Sequence, residues 1–184
     1  MRTALIVFSI SSLFCSSAFA APPKELLGKS VSISWNETRE QKWPGESQLR
    51  HVNRNGDLII YVSSAGRVFN RLSYGGGGGR GKAKYKGSSD QVGGGGSDGF
   101  ENRVVNFQGQ SLSLHTPMSG GVRAINVSFS DGFTGCTASV LTGKEGSGKI
   151  VMKSLGSGKE FEIHSISTGG AHCSISEGNL FGGG

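Results

Sequence analysis

Short alternating runs separated by glycine turns set the limits on what this chain can fold into. Lys29–Trp35 is the clearest: Val31, Ile33 and Trp35 share one parity and Ser30, Ser32 and Ser34 the other. That period of two belongs to a half-buried strand. Similar runs follow at Gln48–Asn53, Leu58–Val62, Arg67–Tyr74, Arg103–Phe107, Ser111–His115, Val122–Ser130, Cys136–Leu141, Lys149–Lys153, Glu160–Ile166 and Ala171–Ile175. Turn signals fall between them at Trp43-Pro44-Gly45, Asn55-Gly56-Asp57, Ser63-Ser64-Ala65-Gly66, Met118-Ser119-Gly120-Gly121, Asp131-Gly132, Gly143–Gly148, Gly156-Ser157-Gly158 and Gly169-Gly170. Such spacing predicts an all-β chain, a single antiparallel β-sandwich or barrel-like domain. Helix signals are confined to one turn at Lys24–Leu27.

The hairpin Asp57–Tyr74 is expected at the centre. Its first strand is apolar on both parities, with Leu58, Ile60 and Val62 against Ile59 and Tyr61, which predicts cover on both sides. Its second puts Arg67, Phe69 and Arg71 on one face and Val68, Leu72 and Tyr74 on the other. Farther on, Ile125, Val127 and Phe129 make one inward row, and Cys136, Ala138 and Val140 another.

The first twenty residues have the form of a secretory signal. Arg2 is the basic start, Ala4–Phe14 the apolar centre and Ala18-Phe19-Ala20 a small-x-small cleavage site. The apolar part is too short for a membrane span. Cys15 follows bulky Phe14 and lies upstream of the better cleavage site, which disfavours a lipoprotein. The expectation is a signal at 1–20, one domain over 21–184, and a periplasmic or secreted location. Cys136 and Cys173 are the cysteines outside the signal, and in an exported chain such a pair reads as a structural disulfide.

Charge enters through the segment Gly75–Gly99, two glycine runs around Arg80, Lys82, Lys84, Tyr85 and Lys86. A stretch of this composition is expected to be a flexible loop. Without Arg2 the net charge falls from +6 to +5, since Glu25 is the first acidic residue. A basic chain favours anionic partners. The binding candidates are therefore Arg80, Lys82, Lys84, Tyr85 and Lys86, with Arg67 and Arg71 on a shared strand face and Arg103 and Arg123 as extensions. A solvated charge run that keeps a glycine loop soluble is the alternative.

Other motifs lack their context. Gly76–Lys82 and Gly143–Lys149 fit G-x-x-x-x-G-K, but Ala83 and Ile150 stand where Ser or Thr must hold Mg²⁺, and no helix follows. Gly95–Gly99 fits G-x-S-x-G without the strand-to-helix turn that the nucleophile needs. Gly93–Glu101 fits one copy of a calcium-binding nonapeptide that works only when stacked. His51, His115, His164 and His172 show no zinc spacing, although His164 and His172 flank an expected hairpin turn. Asn36-Glu37-Thr38 and Asn126-Val127-Ser128 are glycosylation sequons in a eukaryotic host.

No metal, cofactor or catalytic residue is assigned on this reading. It points to an exported, non-catalytic β domain that binds an anionic polymer or the cell-envelope surface, with a protein partner also open. One alternative is an exported hydrolase of envelope sugars or esters, with His51 or His164 as base and Asp57, Glu160 or Glu162 as partner. The other is a small outer-membrane β-barrel, which the missing aromatic girdle and the Leu180–Gly184 ending disfavour.

Overall fold

A computed structural model describes residues 21–76, 85–92, 104–118, 121–144, 149–153 and 157–182, with 85–92 described by backbone. Among the described residues, ten antiparallel strands make two sheets. The first is ordered β4 (Tyr85–Val92), β3 (Val68–Gly76), β2 (Arg50–Val62), β1 (Lys29–Lys42), β10 (Glu160–Glu177) and β9 (Ile150–Lys153). The second is ordered β5 (Val104–Gln108), β6 (Ser111–Met118), β7 (Gly121–Phe129) and β8 (Cys136–Lys144). The expected all-β class holds, in a form resembling a half-closed barrel. A 3₁₀ turn at Lys24–Leu26 stands where the lone helical turn was expected.

The inward rows of both sheets meet in one core. Val31, Ile33 and Trp35 of β1 and Leu58, Ile60 and Val62 of β2 pack with Leu112, Leu114, Ile125, Val127, Phe129 and Val140 of the second sheet. β8 lies alongside β10 without a hydrogen-bonded ladder, and the Cys136–Cys173 disulfide joins them there, with Cα atoms 5.6 Å apart. The covalent bond thus ties the two sheets where backbone pairing does not.

Strand lengths depart from the sequence expectation, for a consistent reason. β1 continues past Trp35 through the polar and charged stretch Asn36–Lys42, because Glu37, Arg39 and Gln41 still point inward and are buried. Asn55-Gly56-Asp57 is not a turn but the middle of β2, where Gly56 pairs with Trp35. A Cβ at residue 56 would fall inside the Trp35 ring, so the glycine makes room for an indole. The true turn is Ser63–Arg67, where the Gly66 N–H bonds the Ser63 carbonyl at 2.9 Å and Gly66 has φ 76°.

Gly169-Gly170 is likewise not a turn. β10 runs unbroken from Glu160 to Glu177, and the two glycines form a bulge opposite Asn36. A second register shift skips His164, since Gln41 pairs with Ile163 and Glu40 with Ser165. Each bulge changes the inward parity. The interior row therefore reads Phe161, Ile163, then Ile166, Thr168, then Ala171, Cys173, Ile175, all buried or half-buried. His164 and His172 do not face each other across a hairpin; they lie far apart along one strand.

The central β2 strand is fully buried on its inner row only. Ile59 and Tyr61, on the outer row, are half-buried. Their partial cover comes from the C-terminal 3₁₀ turn Leu180–Gly182, whose Phe181 ring meets Tyr61 edge-on at 6.4 Å between centroids. Ser30 holds that turn, with its Oγ donating to the Gly178 carbonyl at 2.7 Å and accepting from the Leu180 N–H at 3.2 Å. Part of Gly75–Gly99, expected to be loop throughout, is also strand: β4 pairs along β3 from Phe69↔Val92 to Gly76↔Tyr85.

Candidate binding face

Outward residues of the larger sheet build one continuous polar surface. Adjacent strands place Arg71, Ile59, Ser32 and Ser174 in one cross-strand row. Ser73, Asp57, Ser34 and His172 form the next. Asn55 and Asn36 follow beside the glycine bulge, and then Asn53, Thr38 and Ser167. Ser34 of β1 therefore acquires polar partners on both neighbouring strands, whereas Ser32 has Ser174 on one side and Ile59 on the other.

At the Arg71 end the arginines stand against aromatic rings. The Arg67 guanidinium lies 5.4 Å from the Phe69 ring centre, and that of Arg71 lies 5.0 Å from Phe181. Tyr61 and Phe69 stack at 6.1 Å between centroids. Arg71 also donates from Nη1 to the Phe181 carbonyl at 3.3 Å. Cation–π contact fixes the plane of each guanidinium. Arg67 is exposed and Arg71 half-buried, both on the outer face as expected.

The remaining basic candidates divide. Lys86 and Tyr85 start β4, paired with Gly75 and Gly76, so the backbone brings them onto the strand next to the arginines. Arg80, Lys82, Lys84 and Arg103 lie outside the described residues, as do the G-x-S-x-G and nonapeptide matches. Arg123 is a correction. It points inward, 1 % exposed, and belongs to no surface patch.

Arg123 instead closes a buried charge cluster. Glu37 of β1, 2 % exposed, accepts from Arg39 Nε through Oε1 and from Arg123 Nη2 through Oε2, the latter at 3.2 Å. Arg39 also donates from Nη1 to Met152 Sδ at 3.1 Å, and Arg123 from Nε to Thr142 Oγ1 at 3.3 Å. Burial pushes the Glu37 carboxyl up, but Arg39 and Arg123 outweigh it and hold the group below the usual carboxylate range. No surface expectation anticipated this arrangement. Its only sequence signal was Glu37, Arg39 and Gln41 continuing the inward parity of Val31, Ile33 and Trp35.

Two depressions open on the surface. One, of about 350 Å³, is lined by Trp43, Glu46, Val151, Glu160, Phe161 and Glu162 among others. Its groups are largely spent on one another: Trp43 stacks on Phe161 at 4.8 Å, Arg50 covers Trp43 at 5.2 Å and bonds Glu46, and Glu162 takes Lys149 at 3.0 Å. Glu160 and Glu162 are thus no catalytic pair facing across a cleft.

The other depression, of about 260 Å³, lies on the outer face and is lined by Ser34, Asn36, Asn55, Asp57, Gly170 and His172, with Trp35 at its base. The bulge glycines leave a gap in the side-chain carpet there. Among the described residues, none of the five polar side chains around it has a hydrogen-bond or ion-pair partner. The sequence offered each of them singly; only strand pairing collects them.

Of the hydrolase candidates, the structure brings His164 to Glu162, and sets His51 beside Glu40 rather than Asp57. Asp57 and His172 sit on the two strands flanking Ser34, which puts them about 10 Å apart at normal strand spacing. A triad requires the imidazole between carboxylate and hydroxyl. His51 lies 3.8 Å from Glu40 and His164 3.4 Å from Glu162, both on exposed strand positions. Among the described residues no group of three metal-ligating side chains occurs.

No protein-family model matches the chain, and neither a curated protein nor a solved structure matches it.

Proposed function

We propose that this is an exported, non-catalytic β domain that binds an anionic polymer, at the cell envelope or outside the cell, through the outer face of its larger sheet. The observation that carries the reading is the pair Arg67, at the end of the turn, and Arg71, on the strand that follows it, each ordered against an aromatic ring. Guanidiniums held this way lose little freedom when an acidic group arrives. The positive balance of the chain supports the same partner class by raising the local concentration of anions. Export rests on the leader-like first twenty residues, with which a cysteine pair bonded between two sheets is consistent.

An outer-membrane barrel would need an apolar outward band. Here the outward rows of β1 and β2 carry Ile59 and Tyr61 at one end, but continue as Ser34, Asn36, Thr38, Asn53, Asn55 and Asp57, which suit water. The test is binding of the protein to nucleic acid, lipopolysaccharide and acidic polysaccharides across a salt series. Arg67→Ala should weaken binding about fivefold at low salt, the effect expected of one cation near an anionic surface. Unchanged affinity in Arg67→Ala and Arg71→Ala would exclude this face.

A further inference from the structure

We propose that the groove formed by Ser34, Asn36, Asn55, Asp57 and His172 seats one sugar ring of a polysaccharide strand lying across the outer sheet. This rests on the reading of that face as a binding face and names the polymer class.

The chemistry of the lining selects the ligand. Asp57 only accepts hydrogen bonds, Asn36 and Asn55 both donate and accept, and Ser34 and His172 add groups of either kind. A phosphate backbone offers acceptors alone, and the Asp57 carboxylate would repel it. Sugar hydroxyls donate and accept from the same atom, so they match a mixed set. Because none of these side chains is engaged within the described protein, no internal bond must break on binding.

Shape and position agree with that assignment. The bulge at Gly169-Gly170 leaves the groove without side chains along one stretch of wall, so a ring can approach the backbone. Its volume of about 260 Å³ leaves room for several waters, which a ring with several hydroxyls can replace. The Asp57 row lies two residues along from the Arg71 row, roughly 7 Å. A polysaccharide strand can therefore set one ring in the groove while an acidic group on a neighbouring ring reaches the Arg71 row, with Arg67 roughly 20 Å from the groove and several rings farther along.

The experiment uses an array of acidic and neutral bacterial polysaccharides, probed with the full chain at low salt and at roughly 0.5 M NaCl, where exposed charges are screened. One polysaccharide should be retained at high salt. Asn55→Ala combined with Asp57→Ala should then weaken it about tenfold at both salts, whereas Arg67→Ala should matter at low salt only. The His172 ring signals should shift on adding that glycan, a readout independent of any variant. Binding of acidic glycans that vanishes with salt and ignores Asn55→Ala/Asp57→Ala would overturn the sugar seat while leaving the anionic-polymer reading intact. Retention of nothing on the array, with nucleic acid and lipopolysaccharide also unbound, would overturn both. A His172 and Asp57 response to Ca²⁺ with no glycan retained would assign the groove to a cation instead.

Discussion

Gly56 of β2 lies directly opposite Trp35 of β1, and the indole occupies the volume that any side chain at residue 56 would need. The Arg123 guanidinium also lies over the Trp35 ring, 5.7 Å from its centre. The tryptophan therefore marks the boundary between the apolar interior and the buried charges. Gly56→Ala should destabilise the fold by about 1–3 kcal/mol through overpacking, measured by chemical denaturation. A stability unchanged from wild type would mean that Trp35 has room to move, contrary to this packing.

Glu37 should be the most sensitive charge in the molecule. Glu37→Gln leaves Arg39 and Arg123 without their shared carboxylate, a change expected to cost about 3–5 kcal/mol. The same contacts set a pH dependence. The folded Glu37 pKa lies below its ordinary value of 4.5, so its stabilising share is complete above that value and falls away as pH drops through the lowered folded pKa. Stability curves of wild type and Glu37→Gln should converge under acid. Parallel curves down to strongly acid pH would contradict the assignment.

The Cys136–Cys173 bond replaces a missing ladder between β8 and β10. Closing a loop of 37 residues restricts the unfolded chain by roughly 4 kcal/mol on the loop-entropy model. Cys136→Ser with Cys173→Ser should lower the midpoint of thermal unfolding correspondingly, and reductant should do the same to the wild type alone. A wild-type midpoint indifferent to reductant would show that the bond is not formed in solution.

The bulge can be tested by comparing a deletion with a substitution. Removing Gly170 would shift parity by one and turn the inward row on one side of the bulge to the outside, so the variant should fail to fold. Gly170→Ala meets nothing within 4 Å and should change stability by less than about 0.5 kcal/mol. A folded, disulfide-bonded deletion variant would require a different register for β10.

Local pattern was enough for some of this architecture. Alternation in Lys29–Trp35 and around Ile125–Phe129 marked true inward rows, because a strand's two faces repeat every second residue regardless of its neighbours. The isolated pair Cys136 and Cys173 likewise pointed to its own bond. Glycine misled where it had two physical uses. At Gly66 it relieves a positive φ, and the turn was legible; at Gly56 it clears space for Trp35, and at Gly169-Gly170 it forms a bulge. Neither of those is a property of the adjacent residues.

Polarity misled in the same manner. Charged residues normally seek water, so the alternation of Lys29–Trp35 is not read on into Glu37 and Arg39, and Arg123 reads as exposed for the same reason. Glu37, Arg39 and Arg123 are buried because one carboxylate takes both guanidiniums across two sheets, a compensation invisible to any one segment. The groove had no linear signature at all. Ser34, Asp57 and His172 are ordinary surface residues until β2, β1 and β10 pair in one register. The sequence by itself determined the strand class, the inward rows and the cysteine pair, since these depend on local periodicity and composition. Tertiary structure alone decided which polar groups are buried and which converge, since both depend on contacts between strands distant along the chain.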